Sequence, residues 1–193
     1  MTYNPDIHHR RSIRLRDYNY SQKGAYFVTI CTFDRGCYFG RFSKLRKIVN
    51  DEWNNIPERF QDVDLDEYVV MPNHFHGIII RRDNSCGYPL SRYPSIARQR
   101  GKSGHPQGDA PALGDIIGAF KSLCVNAWLR EIKTENINAR AKFWQNSYYE
   151  HVIRDEEEMN RIRQYIVDNP LQWELDRENP MSGTQQQTEK WMV

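Results

Sequence analysis

Apolar positions along this chain recur at two distinct spacings, and together they mark out its elements. Gly24 to Phe33 (GAYFVTICTF) interleaves aromatic and β-branched residues, the pattern of a strand. Asp34-Arg35-Gly36 reads as a turn, and Cys37 to Phe39 as a short returning strand. Leu45, Ile48, Val49, Trp53 and Ile56 follow the helical period, so a helix is expected from a Ser43 cap to about Phe60. Leu65 to Met71 and His74 to Arg82 read as two strands joined by a tight Pro72-Asn73 turn, a hairpin. A second helix is expected from Leu113 to about Ile132, with Ile116, Ile117, Phe120, Cys124 and Trp128 on its apolar face. Phe143 to Ile153 is a fourth extended segment. Asp155 then caps a third helix through Asp168, with three acids at the positive end of its dipole, and Asn169-Pro170 stops it.

The order strand, helix, strand, strand, helix, strand, plus an extra helix, predicts an α+β fold. It is the ferredoxin-like (RRM-like) βαββαβ arrangement, an antiparallel sheet with two helices on one face. The other face is left for a ligand or for the additional helix. Residues 1–22 read as a basic arm, 23–175 as the folded domain and 176–193 as a disordered tail. Within the domain, 83–112 is rich in Gly, Pro, Ser, Arg and Gln and reads as a long mobile loop.

Composition narrows the classes. The chain has 193 residues, which suits one domain with extensions. A mean hydropathy of −0.81 implies a very polar surface, and no apolar run approaches the roughly 20 residues of a membrane helix. No signal-peptide core is visible near Met1, so a cytoplasmic address is expected. Four cysteines (Cys31, Cys37, Cys86, Cys124) lie far apart with no CxxC pair, which argues against a disulfide scaffold or zinc ribbon. Lys and Arg number 27 against 25 acids, yet the charge is segregated. HHRRSIRLR (His8 to Arg16) holds four arginines and no acid, and Arg81 to Lys102 is also basic. Segregated positive charge with abundant aromatic rings fits nucleic acid, although charge runs also occur as plain solvated faces.

Two constellations carry candidate chemistry. His74 and His76 sit two apart on a strand and share one face, with Phe75 directed to the core, so two imidazoles can converge on one divalent cation. Gly77 after them leaves room for close approach. Two histidines merely packed or exposed on a hairpin would show the same spacing. Tyr165 and Asn169, four apart, share one face of the last helix, about 6 Å apart along its axis. Tyr165 lies at the edge of the stripe formed by Met159, Ile162 and Ile166, a place where tyrosines also serve simple packing. A cation on the histidines polarises a phosphodiester, a tyrosine oxygen can attack the phosphorus, and the Asn169 carbonyl suits Mg2+ or Mn2+.

Four segments then resemble the REP-associated tyrosine transposases of the HUH single-strand transposase superfamily. They are RRSIRLRDYNYSQKGAYFVTICT (Arg10 to Thr32), MPNHFHGIII (Met71 to Ile80), FWQNSYYEHVIR (Phe143 to Arg154) and RQYIVDNPLQW (Arg163 to Trp173), in that family's order and spacing. The resemblance spans roughly residues 8 to 175. It implies an HUH-type fold, metal ligation by His74 and His76, and Tyr165 as the nucleophile rather than Tyr148 or Tyr149. Asn169 stands where related transposases carry a glutamine that helps bind the metal. The implied reaction is cleavage and rejoining of single-stranded DNA at palindromic repeat hairpins through a 5′-phosphotyrosine, without ATP. Arg10, Arg11, Arg14 and Arg16 are the candidates for DNA contact; a merely solubilising arm is the alternative. The expected partner is single-stranded or hairpin DNA, with no membrane, and the protein is expected as a monomer or homodimer. His151 is a spare candidate for the metal or for proton transfer, and a locally hydrogen-bonded sheet histidine is the plainer reading. A non-catalytic nucleic-acid binder on the same fold, or a small-molecule metalloenzyme, are the competing classes.

Overall fold

The structure is a computed structural model, and it describes residues 18–82, 111–175 and 179. Most of the basic arm, most of the 83–112 loop and nearly all of the tail lie outside the described residues. The strands are β1 (Gly24–Cys31), β2 (Val63–Val70), β3 (His74–Arg81) and β4 (Tyr149–Ile153). The helices are α1 (Tyr38–Arg41), α2 (Ser43–Asn54), α3 (Ile56–Arg59), α4 (Leu113–Glu135) and α5 (Glu156–Asp168), followed by a 3-10 helix, Asn169–Leu175.

All pairings in the four-stranded sheet are antiparallel, in the order β2-β3-β1-β4. This is the expected ferredoxin-like arrangement. Period-two alternation sends alternate side chains to opposite faces. Tyr26, Val28, Ile30, Phe75 and Ile79 join α2 and α4 in the larger core, around Trp53, Phe120 and Trp128. Phe27, Ile78 and Ile153 point the other way and bury Met159, Ile162 and Ile166 of α5. The extra helix therefore closes the face that βαββαβ folding leaves open. Among the described residues no helix is long and apolar enough to cross a membrane.

Several expectations are corrected. Cys37 to Phe39 is not a strand: Tyr38–Arg41 is a turn of helix whose Phe39 and Gly40 amides donate to the Pro72 carbonyl at 3.0 and 3.4 Å. A returning strand had no edge to join, because β1 is already flanked by β3 and β4. Ser43 does not cap α2; Phe42 holds that place without a side-chain bond. The long helix to Phe60 breaks at Asn55, because Pro57 lacks the amide that would bond back to Trp53. Only Tyr149–Ile153 of the Phe143–Ile153 segment is strand. Upstream, Trp144 forms an isolated bridge with Thr32, and the Lys121 ammonium takes the Gln145 and Asn146 carbonyls at 2.5 and 3.0 Å.

Gly77 is needed on the face opposite to the one expected. A Cβ there would lie 2.5 Å from Trp53 Cζ2 and 2.9 Å from Phe75 Cε1, so the glycine admits Trp53 to the core and does not open space beside the histidines. Overpacking of this kind costs about 1–3 kcal/mol. Gly77→Ala is expected to lower the midpoint of thermal or denaturant unfolding accordingly. A variant as stable as the parent chain would show that Trp53 repacks freely.

Candidate active site

β3 places His74 and His76 on the face that α5 covers, and both are buried, at 0% and 3% exposure. Their ring centroids lie 4.5 Å apart. Burial is the main reason that both imidazoles are held neutral. It pushes the His74 pKa down to about 3, with the Arg35 charge adding to the effect. His76 is pushed well below its ordinary value by burial and by His74.

The hydrogen bonds around the rings explain how two such groups are tolerated. Asn73 Nδ2 donates to the Arg35 carbonyl at 3.1 Å, which turns its Oδ1 toward His74 Nδ1 at 2.8 Å. His74 Nδ1 is then the N–H donor, and its Nε2 carries the lone pair. The Arg35 carbonyl is presented by a turn in which Asp34 and Arg35 both have positive φ, 49° and 53°. Thr29 faces His76 across the β1–β3 ladder, and its Oγ1 lies 2.8 Å from His76 Nδ1. Phe27 stacks on the His76 ring at 5.3 Å.

α5 brings the phenol. Asp155 accepts from the Glu158 amide at 2.8 Å and starts the helix as expected. Tyr165 Oη then lies 3.3 Å from His76 Nε2 of the same chain, with its ring edge-on to Phe27. With the phenol donating to Nε2, His76 Nδ1 carries the hydrogen and donates to Thr29. Asn169, one turn beyond, is buried, and its Oδ1 has no hydrogen-bond partner. Trp173, in the 3-10 helix, stands 6.1 Å from the His74 ring.

His74, His76 and Tyr165 are thus brought together as expected. Asn169 caps the C-terminal end of α5 and opens the 3-10 helix, with its carbonyl oxygen bonded to neither imidazole. His151 is elsewhere: its Nε2 pairs with Glu158 Oε1 at 2.8 Å, near the start of α5. Tyr148 packs toward the larger core and Tyr149 toward α5. Arg10, Arg11, Arg14 and Arg16 lie outside the described residues. Two members of the basic Arg81 to Lys102 stretch are committed internally, Arg81 to Asp62 and Arg82 to Asp64. Among the described residues no group of three or more His, Cys, Asp or Glu could hold a metal ion.

Sequence reasoning missed Thr29, Asn73, Trp173 and the pair Asp66–Arg163. Asn73 reads in sequence only as a turn residue, and Thr29 acquires its role only through the strand register. Asp66 stands beside an irregularity: between Leu65 and Tyr68 the β2 register shifts by one residue. The shift leaves Leu65 and Tyr68 both on the side packed by α2 and α4, while Asp66, next to Leu65, alternates to the α5 side. There it meets Arg163 through two parallel bonds of 2.8 and 2.7 Å.

No protein-family model matches the chain. An uncharacterized protein of Haemophilus influenzae is 40% identical over 185 residues, covering 91% of this chain and 96% of its own. The chain belongs to that protein's family. Among solved structures, a REP-associated tyrosine transposase bound to a REP hairpin matches with a TM-score of 0.50 at 18% identity. The match covers 83% of this chain and 74% of that one. This chain thus has a fold like that transposase's.

Burial would raise the Asp66 carboxyl, but the Arg163 hydrogen bonds, the Glu67 amide and the Arg163 charge together hold it below its usual value of 3.8. A depressed carboxyl contributes stability that is present above the unfolded pKa and is lost as pH falls through the folded one. The stability gap between the parent chain and Asp66→Asn, measured by urea unfolding, is therefore expected to be full at neutral pH. It should shrink as pH drops below about 4. A gap independent of pH would contradict this.

Proposed function

We propose that this chain is a metal-dependent strand transferase acting on single-stranded DNA at palindromic, REP-like hairpins, with Tyr165 as its nucleophile. The observation that carries the reading is the phenol oxygen 3.3 Å from the imidazole of His76, in a buried site assembled within one chain. The transposase-like fold supports it, and the hairpin bound to that solved neighbour suggests the class of DNA.

The residues fit a divalent cation, Mg2+ or Mn2+. Two neutral imidazoles have their Nδ1 atoms engaged by Asn73 and Thr29, the usual means of orienting ligating histidines. The buried Asn169 Oδ1 offers an oxygen with no other partner. His74 Nε2, His76 Nε2 and Asn169 Oδ1 would hold the ion. When bound it would polarise the phosphodiester and neutralise its developing charge. The protein's own part is to place the phenol and to keep the site dry. Tyr165 Oη forms a bond to phosphorus, and the bond from phosphorus to the 3′ oxygen breaks. The DNA keeps a free 3′ hydroxyl, and its 5′ phosphate remains on the tyrosine. The phenol loses one proton and the leaving oxygen gains one, so the step is balanced and reversible without ATP.

Two outcomes are expected. With a labelled single-stranded palindromic oligonucleotide and Mn2+, the chain forms a covalent adduct and Tyr165→Phe forms none while still binding the DNA. An adduct persisting in that variant would move the nucleophile elsewhere. In calorimetric Mn2+ titrations His74→Ala abolishes binding, and Asn73→Ala weakens it by about 10- to 100-fold. Unchanged Mn2+ binding in His74→Ala would remove the metal site.

A further inference from the structure

We propose that Asp66 and Arg163 form a positioning latch that sets the rotation of α5, and through it the place of the Tyr165 hydroxyl over His76. The inference rests on the reading of Tyr165 as nucleophile and adds a residue pair far from the chemistry in sequence. Arg163 reaches β2 from the middle of α5, and its guanidinium grips both oxygens of Asp66. The Asp66 side chain is 3% exposed and that of Arg163 25%, so the pair sits largely under the helix. Glu156 and Asn160 hold the same guanidinium at 3.1 and 2.9 Å, and so orient it from its own helix.

The helical wheel gives the pair its leverage. At about 100° per residue, Arg163 and Tyr165 are about 160° apart across the buried side of α5. Met159, Ile162 and Ile166 fill that arc and pack on Phe27, Ile78 and Ile153. Apolar contact is non-directional and leaves a helix some freedom to roll. A two-pronged guanidinium–carboxylate pair has fixed geometry. With Arg163 pinned at one edge of the stripe, the other edge, which carries Tyr165, is pinned as well. Alternation from Leu65, which faces the larger core, turns Asp66 to the α5 side, and the register shift that follows returns Tyr68 to the face of Leu65.

The test measures adduct formation on the full chain with a single-stranded palindromic oligonucleotide and Mn2+. Asp66→Asn and Arg163→Lys are each expected to slow adduct formation at saturating DNA by about 10- to 100-fold. Half-saturating DNA should change by less than about threefold, with helix content by circular dichroism unchanged. Arg161→Ala, which removes an exposed pair with Glu157 on the same helix, should react like the parent chain. Should Asp66→Asn fail to fold, Arg163→Lys, which keeps the charge and loses only the fork, carries the test alone. Parent-like rates in Arg163→Lys, or a rate loss matched by loss of DNA binding and helix content, would overturn the latch. Tyr165→Phe run alongside separates the two readings. If it still forms adduct, the nucleophile assignment fails. If it forms none while the latch variants react normally, only the latch fails.

Discussion

Burying two imidazoles side by side is the constraint on which the rest of this molecule depends. Neither ring can be charged at that depth, and each nitrogen needs a defined role, because an orphaned buried polar atom costs about 1–3 kcal/mol. The chain meets the constraint from three directions. The turn at Asp34-Arg35 aims a carbonyl at Asn73, Asn73 fixes His74, and Thr29 on the neighbouring strand fixes His76. The result is a pair of Nε2 atoms directed at whatever α5 delivers.

The face that carries the histidines also explains the extra helix. A bare βαββαβ sheet buries only one side. Here the second side holds Phe27, Ile78 and Ile153 as well as the imidazoles, and leaving it in water would expose a wide apolar surface. α5 covers it and brings in Tyr165. The helix is tied at both edges of the sheet, by Arg163 to β2 and by Glu158 to His151 on β4. Covering the core and assembling the site are one event, so the phenol reaches the histidines only when the helix is docked.

Much of this was legible in the sequence, and the failures share a cause. Alternation in GAYFVTICTF and HFHGIII revealed both strands and the face that His74 and His76 share, because period two is a local property. Helical spacing likewise placed Tyr165 and Asn169 on one side of α5. What depends on register or on neighbouring elements was not legible. Thr29 opposes His76 only once β1 and β3 are paired. Gly77 reads as room for a ligand until Trp53 arrives from the other layer. Cys37 to Phe39 has the composition of a strand but no free edge to join. Asp66 sits in VDLDEYVV, where alternation turns it away from the face of Leu65 but gives no hint that Arg163 of α5 meets it there.

That last case bears on why the helix is held by charge at all. An ion pair between long side chains adds little to stability near the surface, about 0–1 kcal/mol, and a buried one often does no better than an apolar substitute. If docking strength alone mattered, a leucine opposite a leucine would serve α5 as well. Such a contact, however, would let the helix roll, and a small roll moves the phenol relative to the imidazoles by a large fraction of a bond length. A bidentate pair tolerates far less rotation before one of its two bonds is lost. In the proposed latch a directional contact sits at one edge of the apolar stripe and the Tyr165 hydroxyl at the other, so that the rigidity of the helix between them carries the alignment.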